Sequence, residues 1–318
     1  MKVIIATLFT AAATFVFAPS DKIEFEAPES YPEGVVFSPK TNKYYVSSAR
    51  LGTIGEVTAD GKYKAFFQSP ELKSSYGLKI HPDQKRLFAC VGDANYSKFK
   101  SDATHKKMAR FIGIDLKSGK KVMDVDLSGL VAGEHFPNDF TFDNKGNAYI
   151  TDSFANVIYK VSNDGKAQVF AKSPFFKTEG VGLNGIVWHE SNFLLVASSG
   201  TGSVYKVDIA NPANVQRVSL PQFFMNADGL LLTSPNVLAL VQNGGSNRIF
   251  ELESKDNWKS AIVKSATGLE DRFAFPSTAT ANKNEVWVMN AKFNELNDSI
   301  AVPSKKFSIQ KAVFKKVQ

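Results

Sequence analysis

The sequence predicts an all-β fold, a six-bladed β-propeller with four strands per blade in which the N- and C-terminal segments close the last blade. Three observations predict it. A short phrase, a polar or small head followed by an apolar run, returns six times, marked by Gly34 in YPEGVVF, Gly77 in SYGLKI, Asp139 in FPNDFTF, Gly185 in LNGIVW, Gly229 in ADGLLL and Ser277 in FPSTAT. The markers stand 43, 62, 46, 44 and 48 residues apart, the period of a four-stranded blade with one long step. No helical pattern or linker interrupts the chain after residue 21, so a single domain over 19–318 accounts for it.

Each copy repeats one grammar. An apolar inner strand is followed by a second strand such as KYYVSS, NAYITDS, FLLVASS, VLALVQN or EVWVMN, and by a third such as IGEV or VIYKV. A hairpin, seen as Ala59-Asp60-Gly61 and Asn163-Asp164-Gly165, then leads into a fourth strand such as KAFF or AQVF. The sixth copy runs out after a third strand in FSIQKAVF (307–314), and IEFEA (23–27) supplies the missing fourth. Radial arrangement of the blades limits exposed sheet edges.

Composition bounds the function. With 43% hydrophobic and 22% charged residues the chain is built to bury a core. The net charge of +7 is spread over alternating lysines and makes no basic stripe with exposed aromatics, which excludes nucleic acid as the expected partner. Residues 1–18, with Lys2, an apolar run and Val16 and Ala18 at its end, read as a signal peptide, so a secreted or periplasmic protein with no membrane span in the mature chain is expected. Cys90 is the single cysteine, and its apolar strand setting marks it as a buried thiol.

In a propeller the six inner strands face one another around the axis. The residue before each marker is Glu33, Tyr76, Asn138, Asn184, Asp228 or Pro276. Asn and Asp disfavour strands, and four oxygen donors at one phase of four repeats exceed what turn chemistry requires. Glu33, Asn138, Asn184 and Asp228 are therefore the candidate ligands of a hard divalent cation. Calcium takes six to eight oxygens in flexible geometry and is the first choice, with another divalent ion as the alternative. Zinc is disfavoured, because the four histidines are dispersed and no HExxH pattern occurs.

This pattern, carried by PEG, PND, LNG and ADG in that order, resembles the gluconolactonase and regucalcin (senescence-marker-protein) family of six-bladed propellers, over essentially the whole mature chain. The resemblance implies a catalytic divalent ion, usually calcium, held by Glu33, Asn138, Asn184 and Asp228, and hydrolysis of a small cyclic ester. It also implies that Asp228 is the catalytic residue, as base toward water or as nucleophile. Where the sugar-lactone enzymes carry an Arg two residues before the third-blade Asn, this chain has Phe136. Further candidates come from the ends of the second strands and their surroundings: Asp93, Asp152 and His135 as substrate-binding groups. The long step is an insertion at 92–110, matched by an excess at 291–306, and both are expected to wall or cover the site beside Glu33. A non-enzymatic propeller with a structural axial ion is the alternative reading. A strictosidine-synthase-like condensing enzyme on the same fold is a third. No GxSxG elbow supports ordinary nucleophilic ester hydrolysis.

Overall fold

The structure, a computed structural model, describes residues 21–317; the segment read as a signal peptide lies outside them. Six antiparallel sheets form the six blades. The inner strands are Val35–Ser38, Ser74–Ile80, Pro137–Phe142, Leu183–His189, Ala227–Ser234 and Pro276–Asn282. Blades one to five run outward in chain order, and no helix among the described residues is long and apolar enough to cross a membrane.

Closure follows the expectation. Lys22–Glu26 pairs with Lys306–Lys311 as the outer strand of blade six, with Ile23 opposite Ile309 and Phe25 opposite Phe307. One feature differs from the sequence reading. The run 307–314 is not one strand: it ends at Lys311, and Phe314–Lys316 crosses to blade five, where it adds a fifth strand against Ile262–Thr267. The pairing of Thr267 with Phe314 covers an edge that would otherwise present unpaired backbone groups.

The core lies between blades rather than within a single sandwich. Second strands are buried on both faces, as in Phe193–Ser198, so their sequences read as continuous apolar runs instead of alternating ones. Leu194, Val196 and Ile186 pack against Tyr149 and Ile158 of the preceding blade, while Leu195 and Ala197 pack toward Leu230 and Leu240 of the next. Each large aliphatic side chain so buried contributes about 1.5–3 kcal/mol.

The inner strands carry a shared irregularity. In blade three Pro137 pairs with Asp152 and Phe140 with Ile150, so Asn138 and Asp139 together oppose Thr151. The same two-against-one step falls between Leu183 and Ile186 and between Ala227 and Leu230. A bulge unhooks two residues from the ladder and re-aims their side chains. That is why Asn138, Asn184 and Asp228 are tolerated at the second position of otherwise good strands.

The glycines after these heads are explained by contact rather than by turns. A Cβ on Gly185 would stand 2.3 Å from the Asp228 carbonyl oxygen, and one on Gly34 would stand 2.3 Å from that of Tyr76. Neighbouring inner strands approach so closely around the axis that only glycine fits.

Candidate metal and substrate site

Glu33, Asn138, Asn184 and Asp228 share one cavity of about 160 Å³ at the mouth of the axial channel. All four are buried. The structure thus brings together side chains separated by up to 195 positions in the chain, because the bulges of blades three, four and five fall at the same place in their inner strands and Glu33 stands two residues before the inner strand of blade one.

Three of the four ligand candidates are oriented through their side chains by a partner just after or at the end of the second strand of their own blade. The Asn138 amide donates through Nδ2 to Ser153 Oγ at 2.9 Å, and the Asn184 amide to Ser199 Oγ at 3.0 Å. Asn243 Nδ2 donates to Asp228 Oδ2 at 2.5 Å. All three pairs are fifteen residues apart. Ser153 Oγ and Ser199 Oγ in turn donate to the Leu183 and Ala227 carbonyls, so the serines are locked as acceptors toward the amides. In blade one Ser47 Oγ accepts from the backbone N–H of Glu33 at 3.2 Å and of Gly34 at 2.7 Å.

With their N–H groups committed, the amides present carbonyl oxygens inward. Asn138 Oδ1, Asn184 Oδ1 and Glu33 Oε2 are buried and have no hydrogen-bond partner. Orphaned acceptors of this kind are rare because each costs about 1–3 kcal/mol. Three gathered in one cavity make an oxygen-only donor set that fits a hard cation. Among the described residues no three His, Cys, Asp or Glu side chains are grouped so that they alone could hold a metal ion, so the candidate donors are a mixture of carboxylate and amide.

The electrostatics agree. Burial pushes the Glu33 carboxyl well above the ordinary range, and the nearby Asp228 and Asp139 carboxylates push it further, against a smaller opposing effect of Lys79. Asp228 is raised by burial and by Asp139, while the Asn243 and Asn184 amides work the other way. Such a pair is relieved by a positive charge placed between its members. Beneath it, Lys79 Nζ meets Asp139 Oδ1 at 3.0 Å, a channel ion pair that the sequence reading did not foresee.

The other sequence candidates are placed differently. His135 Nδ1 lies 2.7 Å from Asp152 Oδ2, and Tyr159 donates its hydroxyl to the same oxygen at 3.2 Å. Asp152 Oδ1 accepts the backbone N–H groups of Phe136, Phe154 and Ala155. Neither His135 nor Asp152 lines the cavity; they anchor Phe136, which does. The Asp152 carboxylate also raises the His135 imidazole, chiefly through their hydrogen bond. That contribution to stability is complete below the ordinary histidine value near 6.5 and is lost as pH rises through the raised one. Asp152→Asn is expected to lower unfolding free energy by roughly 2–4 kcal/mol. Denaturant titrations should find the loss greater at about pH 6 than at about pH 9; a loss independent of pH would remove the histidine from the account. Asp93 accepts from Thr104 Oγ1 at 2.7 Å and from the Ser101 N–H at 3.4 Å, and so folds the blade-two insertion.

Both insertions reach the site as expected. Asn95 and Tyr96 from the first and Phe293 from the second line the cavity, and the rings of Tyr96 and Phe293 meet at 5.0 Å. Glu295 supports the second insertion by accepting from Tyr31 Oη at 3.0 Å and Ser304 Oγ at 2.9 Å.

No protein-family model matches the chain, and no curated protein matches it by sequence. Solved structures do. The chain is similar to the major allergen Mala s 1 of Malassezia sympodialis, with a TM-score of 0.73 at 19% identity over 94% of this chain and 97% of that one. It is similar to a luciferin-regenerating enzyme, with a TM-score of 0.60 at 14% identity over 93% and 99%. It is also similar to virginiamycin B lyase from Staphylococcus aureus, with a TM-score of 0.58 at 14% identity over 92% and 100%. At these identities the likeness carries the propeller fold, and it includes proteins named as enzymes.

Proposed function

We propose that the chain is an exported, divalent-cation-dependent hydrolase of a lactone or related ester, with calcium as the cation. The observation that carries this reading is the set of partnerless oxygens of Glu33, Asn138 and Asn184, gathered with Asp228 in one cavity. The resemblance of the PEG, PND, LNG and ADG motifs to gluconolactonase and regucalcin supports it, as does the presence of enzymes among the structural neighbours. Residues 1–18, read as a signal peptide, place it in the secreted or periplasmic space.

When bound, calcium supplies positive charge that polarises a substrate carbonyl and stabilises the developing oxyanion. The chain's residues do the rest. Ser153 and Ser199 hold the amides of Asn138 and Asn184 so that their oxygens point inward without rearrangement. Asn243 occupies Asp228 Oδ2 and leaves Oδ1 to take a proton from the water that adds to the carbonyl carbon and to return it to the departing ring oxygen, or to add to that carbon itself, expelling the ring oxygen, with water then cleaving the acyl-carboxylate bond. Phe136, Tyr96 and Phe293 screen the reacting group from bulk water.

The test is turnover by the purified protein on aliphatic, aromatic and sugar lactones, with and without a chelator. Hydrolysis that a chelator stops and added calcium restores is the expected result. Turnover indifferent to chelator overturns the cation's role. A protein that binds calcium tightly but hydrolyses nothing in the panel leaves the non-enzymatic propeller, in which the ion holds the channel together.

A further inference from the structure

We infer that the cavity selects a small uncharged substrate whose reacting carbonyl is attached to a flat apolar ring, an aryl-fused lactone or aryl ester, and rejects a polyhydroxylated one. The inference rests on the hydrolase reading and narrows it. The cavity has two unlike sides. The axial side carries the oxygens of Glu33, Asn138, Asn184 and Asp228 with Ser199 and Asn243 beside them, and the rest of the lining is Tyr96, Phe136, Val181, Phe275 and Phe293 with two amides, Asn95 and Asn226. These rings are braced against one another: Phe293 stands 5.0 Å from Tyr96 and 5.9 Å from Phe275, and Phe136 is held between Tyr76 at 4.7 Å and Phe154 at 5.4 Å. The apolar side chains offer faces for stacking, and beside them only Asn95, Asn226 and the Tyr96 hydroxyl could meet substrate hydroxyl groups, so most of a polyhydroxylated ring would be desolvated there without compensation.

Charge and size narrow the class further. No lysine or arginine lines the cavity, so a carboxylate or phosphate on the substrate would meet two protein carboxylates and no fixed protein cation. At about 160 Å³ the cavity suits one ring system, since an apolar cavity of about 150 Å³ accommodates benzene. Apolar character continues outward, with Phe223 and Met225 exposed just ahead of the cavity residue Asn226. The wall comes largely from the two insertions and from the loops that enter blades three and six, segments that vary independently of the ligand ring.

The test separates binding from chemistry. Calorimetry on the calcium-loaded full chain compares two unreactive lactams, 3,4-dihydroquinolin-2-one and gluconolactam, and kcat/KM is measured for the matching lactones. The aryl lactam is expected to bind at least tenfold more tightly, and its lactone to be hydrolysed at least tenfold better. Phe293→Ala is expected to erase both preferences, and Tyr96→Phe, which keeps the ring, to retain them. If Phe293→Ala fails to fold, Phe275→Leu replaces it, and the wild-type ranking decides without any variant. Equal or reversed preference overturns the inference while sugar-lactone turnover leaves the hydrolase reading standing. Selective binding of the aryl lactam with neither lactone hydrolysed upholds the ligand class and removes the hydrolase reading. No binding of either lactam and no turnover overturns both.

Discussion

Asp228→Asn is expected to lower kcat on a hydrolysed lactone by roughly 10²–10⁴-fold, the usual contribution of a positioned general base. The substitution is nearly isosteric, and Asn243 Nδ2, now 2.5 Å from Asp228 Oδ2, still finds a carbonyl oxygen if the new amide is oriented toward it. The fold should therefore persist, as circular dichroism and thermal unfolding would register. On the proposed reading Asp228 also brings one of the two candidate ligand carboxylates, so its loss is expected to weaken calcium binding as well as chemistry. Measuring kcat at saturating calcium separates the two effects. A rate that returns to the wild-type value once the ion is saturated would leave Asp228 a ligand only, and the proton would have to be handled elsewhere.

Calcium is expected to stabilise the fold strongly, and more so as pH rises. At a free concentration one hundred times its dissociation constant, an ion bound only by the native state adds about 2.7 kcal/mol. That corresponds to an increase in Tm of about 4 °C for a chain of this size. The sign with pH follows from the raised Glu33 and Asp228 carboxyls. Without a cation the native state keeps protons that the unfolded chain has released. Stability therefore falls as pH climbs from the ordinary carboxylate range through the raised values. Calcium competes with those protons, so its effect is small in the ordinary carboxylate range and grows as pH rises through the raised values. Thermal unfolding after chelator treatment, with and without added calcium across this range, reads the difference. Asp228→Asn should make the chelator-treated protein more stable than wild type near neutrality, because one buried carboxyl no longer has to be kept neutral. A chelator-treated Tm that rises with pH would contradict the electrostatic account.

The channel's charge balance bears on both results. Glu33, Asp139 and Asp228 are all buried, and Lys79, paired with Asp139, is the cation that the chain itself supplies to them. On the proposed reading, one divalent ion would complete neutrality for the remaining pair of carboxylates.

Much of this was legible in the linear sequence because propellers are built by repetition. A blade cannot bury its faces alone, so the same apolar strands, turns and polar heads must return at a nearly fixed spacing, and their phase identifies Glu33, Asn138, Asn184 and Asp228 as equivalent positions. Ring closure by residues 23–27 followed from counting strands. Even the orienting partners left a trace: antiparallel pairing of inner and second strands sets Asn138 beside Ser153, Asn184 beside Ser199 and Asp228 beside Asn243, each at the same fifteen-residue interval.

What the sequence by itself determined is the architecture, the closure of blade six and the identity of the four inward heads, since each is a consequence of periodicity along the chain. Only the tertiary structure decided that Asn138, Asn184 and Asp228 sit in bulges, that the partnerless oxygens of Glu33, Asn138 and Asn184 share one cavity with Asp228, and that Lys79 pairs with Asp139 beside them. It alone placed Tyr96, Phe275 and Phe293 opposite the oxygens, set His135 and Asp152 behind Phe136, and sent Phe314–Lys316 to blade five. The physical reason is that insertions and termini belong to no repeat: their positions depend on contacts between distant segments, and no local spacing encodes those.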